Sequence, residues 1–198
     1  MSRYNILLTG VGGQGLLTLG AVIGAAAIEN CVDVTVAETH GMSQRGGSLV
    51  VHVRLGEGAS PLIPRGAANL ILGMEAIETA RNIVYANKDT LIVMNNFLWP
   101  PPLSKYPSLE DLINEISRRA RLYLVDAYGL AKEETGLIVT GNMLLLGYAL
   151  AVDDGLRNYI DIEAVERGME KIFHGKALEL NRRVLWRGYR EGEKSIRK

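Results

Sequence analysis

The chain opens on an apolar run, Tyr4–Thr9 (YNILLT), that stops at a cluster of glycines. A short continuous apolar run of this kind reads as a strand covered on both faces, as in a parallel sheet. Gly15–Glu29 follows, rich in alanine and leucine and apolar on most faces, and reads as a buried helix. Asp33–Glu38 (DVTVAE), with β-branched Val34 and Val36, reads as a second strand. Strand, glycine turn, helix and strand make a βαβ unit. Ser48–Leu55 (SLVVHVRL) predicts a third strand. Only roughly ten residues separate it from the second, too few for a helical crossover, so it is expected to run antiparallel or irregularly.

Asn69–Gly73 and Thr90–Met94 are apolar runs flanking a helix over about 74–86, and Leu122–Asp126 is a further strand of the same kind. Ser108–Arg119 places Leu109, Leu112, Ile113 and Ile116 on one helical face, and Ser108 and Asp111 have the spacing of a capping box. Beyond Asp126 the pattern is helical. Asn142–Val152 is almost wholly apolar, Asp161–Phe173 carries Ile162, Val165, Met169, Ile172 and Phe173 on one stripe, and Lys176–Glu191 follows. The pattern therefore predicts one α/β domain over residues 1–198. It is Rossmann-like, with a mostly parallel sheet, helices on both faces, an irregular or antiparallel third strand and a helical C-terminal part from about residue 141. All six prolines lie between Pro61 and Pro107. Pro100, Pro101 and Pro102 force an extended backbone, so 95–107 reads as a surface loop or a partner-contact segment.

Composition narrows the function classes. The 198 residues are 47% hydrophobic and 22% charged, with 22 basic and 22 acidic side chains. A zero balance gives no electrostatic reason to expect nucleic acid. Residues 162–198 hold ten basic and six acidic residues, which reads as a mildly basic, solvated tail. The single cysteine, Cys31, excludes an internal disulfide framework and any iron–sulfur cluster or thiolate zinc site built from this chain alone. It points to a reducing compartment. The apolar stretch Leu16–Ile28 is short of the about 20 residues a membrane span needs. Met1-Ser2-Arg3 is a poor start for a signal peptide. A cytoplasmic protein is expected.

Two segments carry candidate chemistry. Gly10-Val11-Gly12-Gly13-Gln14-Gly15 fits G-x-G-x-x-G between a strand and a helix, the context in which that motif has meaning. Gly10 would permit the tight turn, Gly12 and Gly13 would let backbone N–H groups approach a phosphate, and Gly15 would allow close helix–strand packing. The alternative is a tight β–α turn and nothing more. Gln14 either binds a ligand or ties the loop to a neighbour. Glu38 lies 23 residues after Gly15, near where a ribose-binding carboxylate would sit.

The second segment, Thr39-His40-Gly41-Met42-Ser43-Gln44-Arg45-Gly46-Gly47-Ser48, is the least core-like in the chain. It starts at the carboxyl end of the second strand, as the glycine turn does for the first, and that edge of an open α/β sheet is where ligands bind. Thr39, His40, Ser43, Gln44 and Arg45 supply polar groups, and Arg45 could hold a phosphate or carboxylate bidentately. Gly41, Gly46 and Gly47 permit close approach. The alternative is a solvated loop. No serine, cysteine or carboxylate is tied to His40 by a recognisable spacing, so no catalytic residue is assigned. His52, alternating with apolar neighbours, reads as structural and His174 as solvated; the three histidines suggest no metal site. Cys31 reads as a packing residue.

With both segments in view the sequence resembles the gamma-type domain of the 2-oxoacid:ferredoxin oxidoreductases. GVGGQG followed by AETHGMSQRGGSLVVHVRLG favours the indolepyruvate branch, its beta subunit in particular, over the pyruvate branch. Ser60-Pro61, GAANLILGMEA over Gly66–Ala76 and GNMLLLG from Gly141 to Gly147 add to the likeness, which runs from Tyr4 to about Gly188. The resemblance implies one subunit of an enzyme that oxidatively decarboxylates an arylpyruvate, with coenzyme A as co-substrate and ferredoxin as electron acceptor. It places thiamine diphosphate, magnesium and iron–sulfur clusters in a partner alpha subunit and none in this chain. Gly10, Gly12, Gly13, Gln14, Gly15 and His40 through Gly47 are the family's motif positions, expected to line an interface with the alpha subunit and to help hold a phosphate-bearing ligand. Two other readings stay open: a free-standing NAD-dependent dehydrogenase, which Glu38 favours slightly, and an interaction module without ligand.

Overall fold

The computed structural model describes residues 3–40, 47–58, 60–100 and 105–197. Six strands form one sheet: β1 (Tyr4–Val11), β2 (Val34–His40), β3 (Ser48–Leu55), β4 (Leu70–Gly73), β5 (Leu91–Asn95) and β6 (Arg121–Val125), in the order β2-β3-β1-β4-β5-β6. β1, β4, β5 and β6 run parallel, whereas β3 is antiparallel to both β1 and β2. The expected antiparallel third strand is thus present with the boundaries read from sequence. β3 runs back antiparallel beside β2 and lies between β2 and β1.

Alternate residues of the strands serve two different cores. On one face Ile6, Leu8, Val51, Val53, Leu70, Leu72 and Val93 pack beneath α1 (Leu16–Glu29), α4 (Ala127–Thr135), α5 (Gly141–Val152), α7 (Ile162–Ile172) and α8 (Gly175–Ile196). On the other, Leu7, Val50, Ile71, Ile92 and Met94 meet α2 (Ala76–Arg81) and α3 (Leu109–Ser117). Period-two alternation within runs that are apolar throughout is what a sheet sandwiched between helices requires. A short helix, α6 (Asp154–Arg157), joins α5 to α7.

Several boundaries differ from the sequence pattern. The helix expected over 74–86 stops at Arg81 and resumes as one 3-10 turn, Ile83–Tyr85. Asn82 ends it, its side chain donating to the Glu78 carbonyl, and the Val84 and Tyr85 carbonyls accept from Gly66 and Ala68 N–H groups instead of continuing a helix. The capping box at Ser108 and Asp111 is formed, with Asp111 N–H donating to Ser108 Oγ at 3.1 Å. The basic C-terminal segment is not a solvated tail. Helix α8 runs on to Ile196, buries Val184, Leu185 and Gly188 against α5, and pairs Arg183 with Glu134 and Arg187 with Glu191. Cys31 is exposed at φ 54° in the turn after α1, contrary to the packing role expected. Of the proline segment, residues 101–104 lie outside the described residues. No helix among the described residues is long and apolar enough to cross a membrane.

His52 is structural, as its alternation suggested. It is 2% exposed, Nδ1 accepts from the Ile63 N–H at 3.2 Å, and its ring meets Tyr85 edge-on at 5.5 Å. Burial, with a smaller push from the Arg54 charge, holds its pKa below the ordinary 6.5. The folded state therefore binds the neutral ring, and the unfolded chain takes up the proton first. The stability due to the neutral ring is complete above pH 6.5 and is lost as pH falls through the depressed folded value. The midpoint of thermal unfolding is expected to fall on acidification below pH 6.5, and to fall less steeply in His52→Gln. Identical slopes in the two proteins would remove His52 from the acid response.

Candidate functional site

Because β1, β2, β4, β5 and β6 point the same way, their carboxyl ends and the start of β3 share one rim. There Val11 pairs with Ser48 and His40 with Leu49. The two sequence-read segments meet at this rim: the Gly12 N–H donates to the Gly47 carbonyl at 2.9 Å. Between β1 and β4 the chain leaves for opposite faces, to α1 on one and α2 on the other. That is a topological switch point, where open α/β sheets hold ligands.

The glycine turn is built for close packing. Gly10 has no room for a side chain, since a Cβ there would stand 2.5 Å from Gln14 Oε1 and 3.2 Å from Met74 Cβ. Gly15 is left-handed (φ 75°) and begins α1, with Asn142 Nδ2 donating to its carbonyl at 3.0 Å. Gly13 has φ 101° and open space where a Cβ would be. Helix α1 starts with no side-chain cap and no acidic residue in its first turn, so its positive end is left for another acceptor. That end opens into a cleft of about 500 Å³ whose walls include Gly12, Gly13, Leu17, Glu38, Gly47 and Ser48.

Gln14 resolves its alternatives toward the tie. Its Oε1 accepts from Val11 N–H at 2.8 Å, and its Nε2 donates to the Tyr128 hydroxyl at 2.8 Å and the Met74 carbonyl at 3.3 Å. Glu38 and Thr39 are exposed on β2. In a dinucleotide fold the strand after the first helix lies beside the first strand. Here β3 intervenes, so Glu38 stands two interstrand spacings from β1, about 9–10 Å. Gly41, Ser43, Gln44, Arg45 and Gly46 lie outside the described residues, and His40 is placed only by its backbone at the end of β2.

The fold adds residues that the sequence reading passed over. Glu75 and Glu78 are 1% and 3% exposed directly behind the rim. Glu75 caps α2 by accepting from Glu78 N–H at 2.9 Å, and its other oxygen accepts from Trp99 N–H at 2.9 Å. Burial raises its pKa, against the pull of those two hydrogen bonds. Glu78 accepts from Ser48 Oγ at 2.5 Å and pairs with Arg81 at 2.8 Å. Tyr128, whose pKa burial also raises, stays a neutral phenol and packs edge-on against Phe97 at 4.9 Å. Phe97, Tyr128, Trp99, Ile138 and Val139 frame a second cleft, about 370 Å³, across Gly12–Gly13 from the first. The available signal was position: Glu75 and Glu78 follow the end of β4, and Phe97 and Trp99 follow β5, both at the ligand rim.

The architecture places the chain in a class: an α/β fold with an antiparallel strand inserted beside β1 and two segments meeting at one rim. It superposes on the pyruvate oxidoreductase subunit PORC of Thermotoga maritima with TM-score 0.74 and 20% identity, over 96% of this chain and 97% of that one. It also superposes, with TM-score 0.74 and 18% identity, on 2-oxoglutarate:ferredoxin oxidoreductase from Magnetococcus marinus, covering 98% of this chain and 32% of that one. The model of the pyruvate ferredoxin/flavodoxin oxidoreductase family matches residues 5–191, and the chain belongs to that family. Among curated relatives, indolepyruvate oxidoreductase subunit IorB of Archaeoglobus fulgidus is 36% identical over 195 residues, 96% of this chain and 95% of its own. The corresponding subunit of Pyrococcus horikoshii is 35% identical over 99% of both chains.

Proposed function

We propose that the chain is the subunit without resident cofactors of an indolepyruvate-type, arylpyruvate:ferredoxin oxidoreductase. In the overall reaction a 2-oxoacid loses its carboxyl group as CO₂. The acyl carbon is oxidised by two electrons that pass to ferredoxin, and the acyl group ends on the sulfur of coenzyme A. A partner alpha subunit carries the thiamine diphosphate, magnesium and iron–sulfur clusters, which supply the carbanion stabilisation and electron transfer. One cysteine cannot ligate a cluster that needs several thiolates.

This chain's part is to enclose and orient. The observation that carries the reading is the Gly12–Gly47 hydrogen bond, which joins the two motif segments around the uncapped amino end of α1. Backbone N–H groups there suit a phosphate of coenzyme A. In this reading Gly10, Gly12, Gly13, Gln14, Gly15, Glu38, Thr39, His40 and Gly47, with Gly41, Ser43, Gln44, Arg45 and Gly46 of the connection, form one half of a cavity completed by the alpha subunit. No catalytic side chain is assigned to this chain.

The purified chain is expected to be colourless and without activity on indolepyruvate, and to yield coenzyme A-dependent ferredoxin reduction only with a brown, thiamine-containing partner. Turnover by the pure chain would overturn the reading. Saturable quenching of its fluorescence by micromolar NADH would favour the dehydrogenase instead.

A further inference from the structure

We propose that the second cleft, on the β5–β6 side of the glycine turn, seats the planar aryl group of the 2-oxoacid, so that this chain sets aryl selectivity. The inference rests on the function proposed above. The walls are Gly12, Gly13 and Gln14, the rings of Phe97, Trp99 and Tyr128 and the aliphatic side chains of Ile138 and Val139, with no charged side chain among the described residues. Its volume, about 370 Å³, falls at the small end of the range for small-molecule sites. Exposed side chains usually adjust to a partner, but here the backbone that presents Phe97 and Trp99 is held, and so is the Tyr128 ring. The Phe97 carbonyl accepts from Ala76 N–H at 2.9 Å, Trp99 N–H donates to buried Glu75, and the Tyr128 hydroxyl accepts from Gln14. The rings stand edge-to-face, Phe97 to Tyr128 at 72° and Phe97 to Trp99 at 61°, leaving Trp99 56% and Val139 66% exposed.

The chemistry of the walls selects among occupants. A purine or a pantetheine arm carries several polar edges that need partners. Here the Gln14 amide is engaged at both ends, and the Tyr128 hydroxyl has one proton to give. A phenyl or indole ring asks for little beyond stacking and edge contacts. Gly12 and Gly13 also line the cleft at the positive end of α1, so an aryl group seated here lies beside the phosphate site proposed above. A flat apolar group with few polar edges is what the aryl end of a 2-oxoacid offers. Glu75 acts as a positioning residue, fixing the backbone that presents Trp99.

The test uses the assembled complex with indolepyruvate, phenylpyruvate and 2-oxobutyrate. Trp99→Ala is expected to lower the aryl-to-alkyl ratio of kcat/KM about 10-fold or more, through KM for the aryl acids, the scale of a lost pocket contact. Val139→Trp, which fills the cleft, should lower the same ratio, and Trp99→Phe should restore most of it. The inference is overturned if these variants keep the wild-type ratio, whether they slow all substrates alike or weaken subunit association, or if KM for coenzyme A is the constant that rises. A wild-type complex without 2-oxoacid activity would instead overturn the proposed function. In that event, binding of indole-3-acetate to the pure chain, lost in Trp99→Ala, still decides whether the cleft takes an aryl group.

Discussion

Gly188→Val is expected to cost about 4 kcal/mol or more, the exceptional end of single substitutions. Helices α5 and α8 make the most extensive helix–helix contact in the fold, and they approach through glycines. A Cβ on Gly188 would land on the Leu144 carbonyl oxygen, and one on Gly147 would land on that of Leu185. The obstacles are backbone atoms, which cannot rotate aside as a side-chain tip can. One helix must then move off the other, and almost all of α5 is buried. Against a total stability of about 5–15 kcal/mol this is a large fraction. Gly136→Ala is the contrast. Gly136 has φ 77° but open space where a Cβ would sit, so only backbone strain of about 1–2 kcal/mol is expected. Guanidinium unfolding separates the cases. A Gly188→Val midpoint equal to that of wild type would mean that the two helices do not meet in solution.

Gly15→Val should have the largest effect on activity. The residue sits at φ 75°, which β-branched side chains avoid, and its Cβ would collide with Asn142 Nδ2. Relieving either conflict moves the first turn of α1 and the Gly12–Gly13 backbone that lines both clefts. A displacement near 1 Å at a positioning element can cost about 100-fold, and that is the drop expected in kcat/KM for coenzyme A in the assembled complex. Adding Asn142→Ala removes the collision but not the backbone strain, so the double variant should recover part of the loss. Full activity of Gly15→Val in an intact complex would reduce the glycine turn to a structural corner.

Most of the secondary structure was legible because β1, β4 and β5 are apolar runs closed by glycine or polar residues, as a strand covered on both faces must be. That β3 would run antiparallel or irregularly was legible from chain length, since a connection of roughly ten residues is too short for a helical crossover. The 74–86 segment was misread because its break depends on partners distant in sequence. Gly66 and Ala68 donate to the carbonyls that a continuous helix would have used, and no local pattern records that. The basic C-terminal segment was misread for a similar reason. Arg183 is paired with Glu134 on α4, and the stripe of Val184, Leu185 and Gly188 only acquires meaning against α5.

The sequence alone determined that a glycine turn and a polar loop would emerge at the same rim, because strand direction follows from connection length and both segments leave the carboxyl ends of parallel strands. Tertiary structure alone decided what that rim is made of. The sheet order set Glu38 one strand further from the turn, Gln14 was drawn into tying the turn to the end of β4 and Tyr128, and three rings from two segments were gathered into one cleft. Direction is a local property of the backbone. Neighbourhood at a sheet edge depends on which strands pair, and that is settled by the burial of every strand at once.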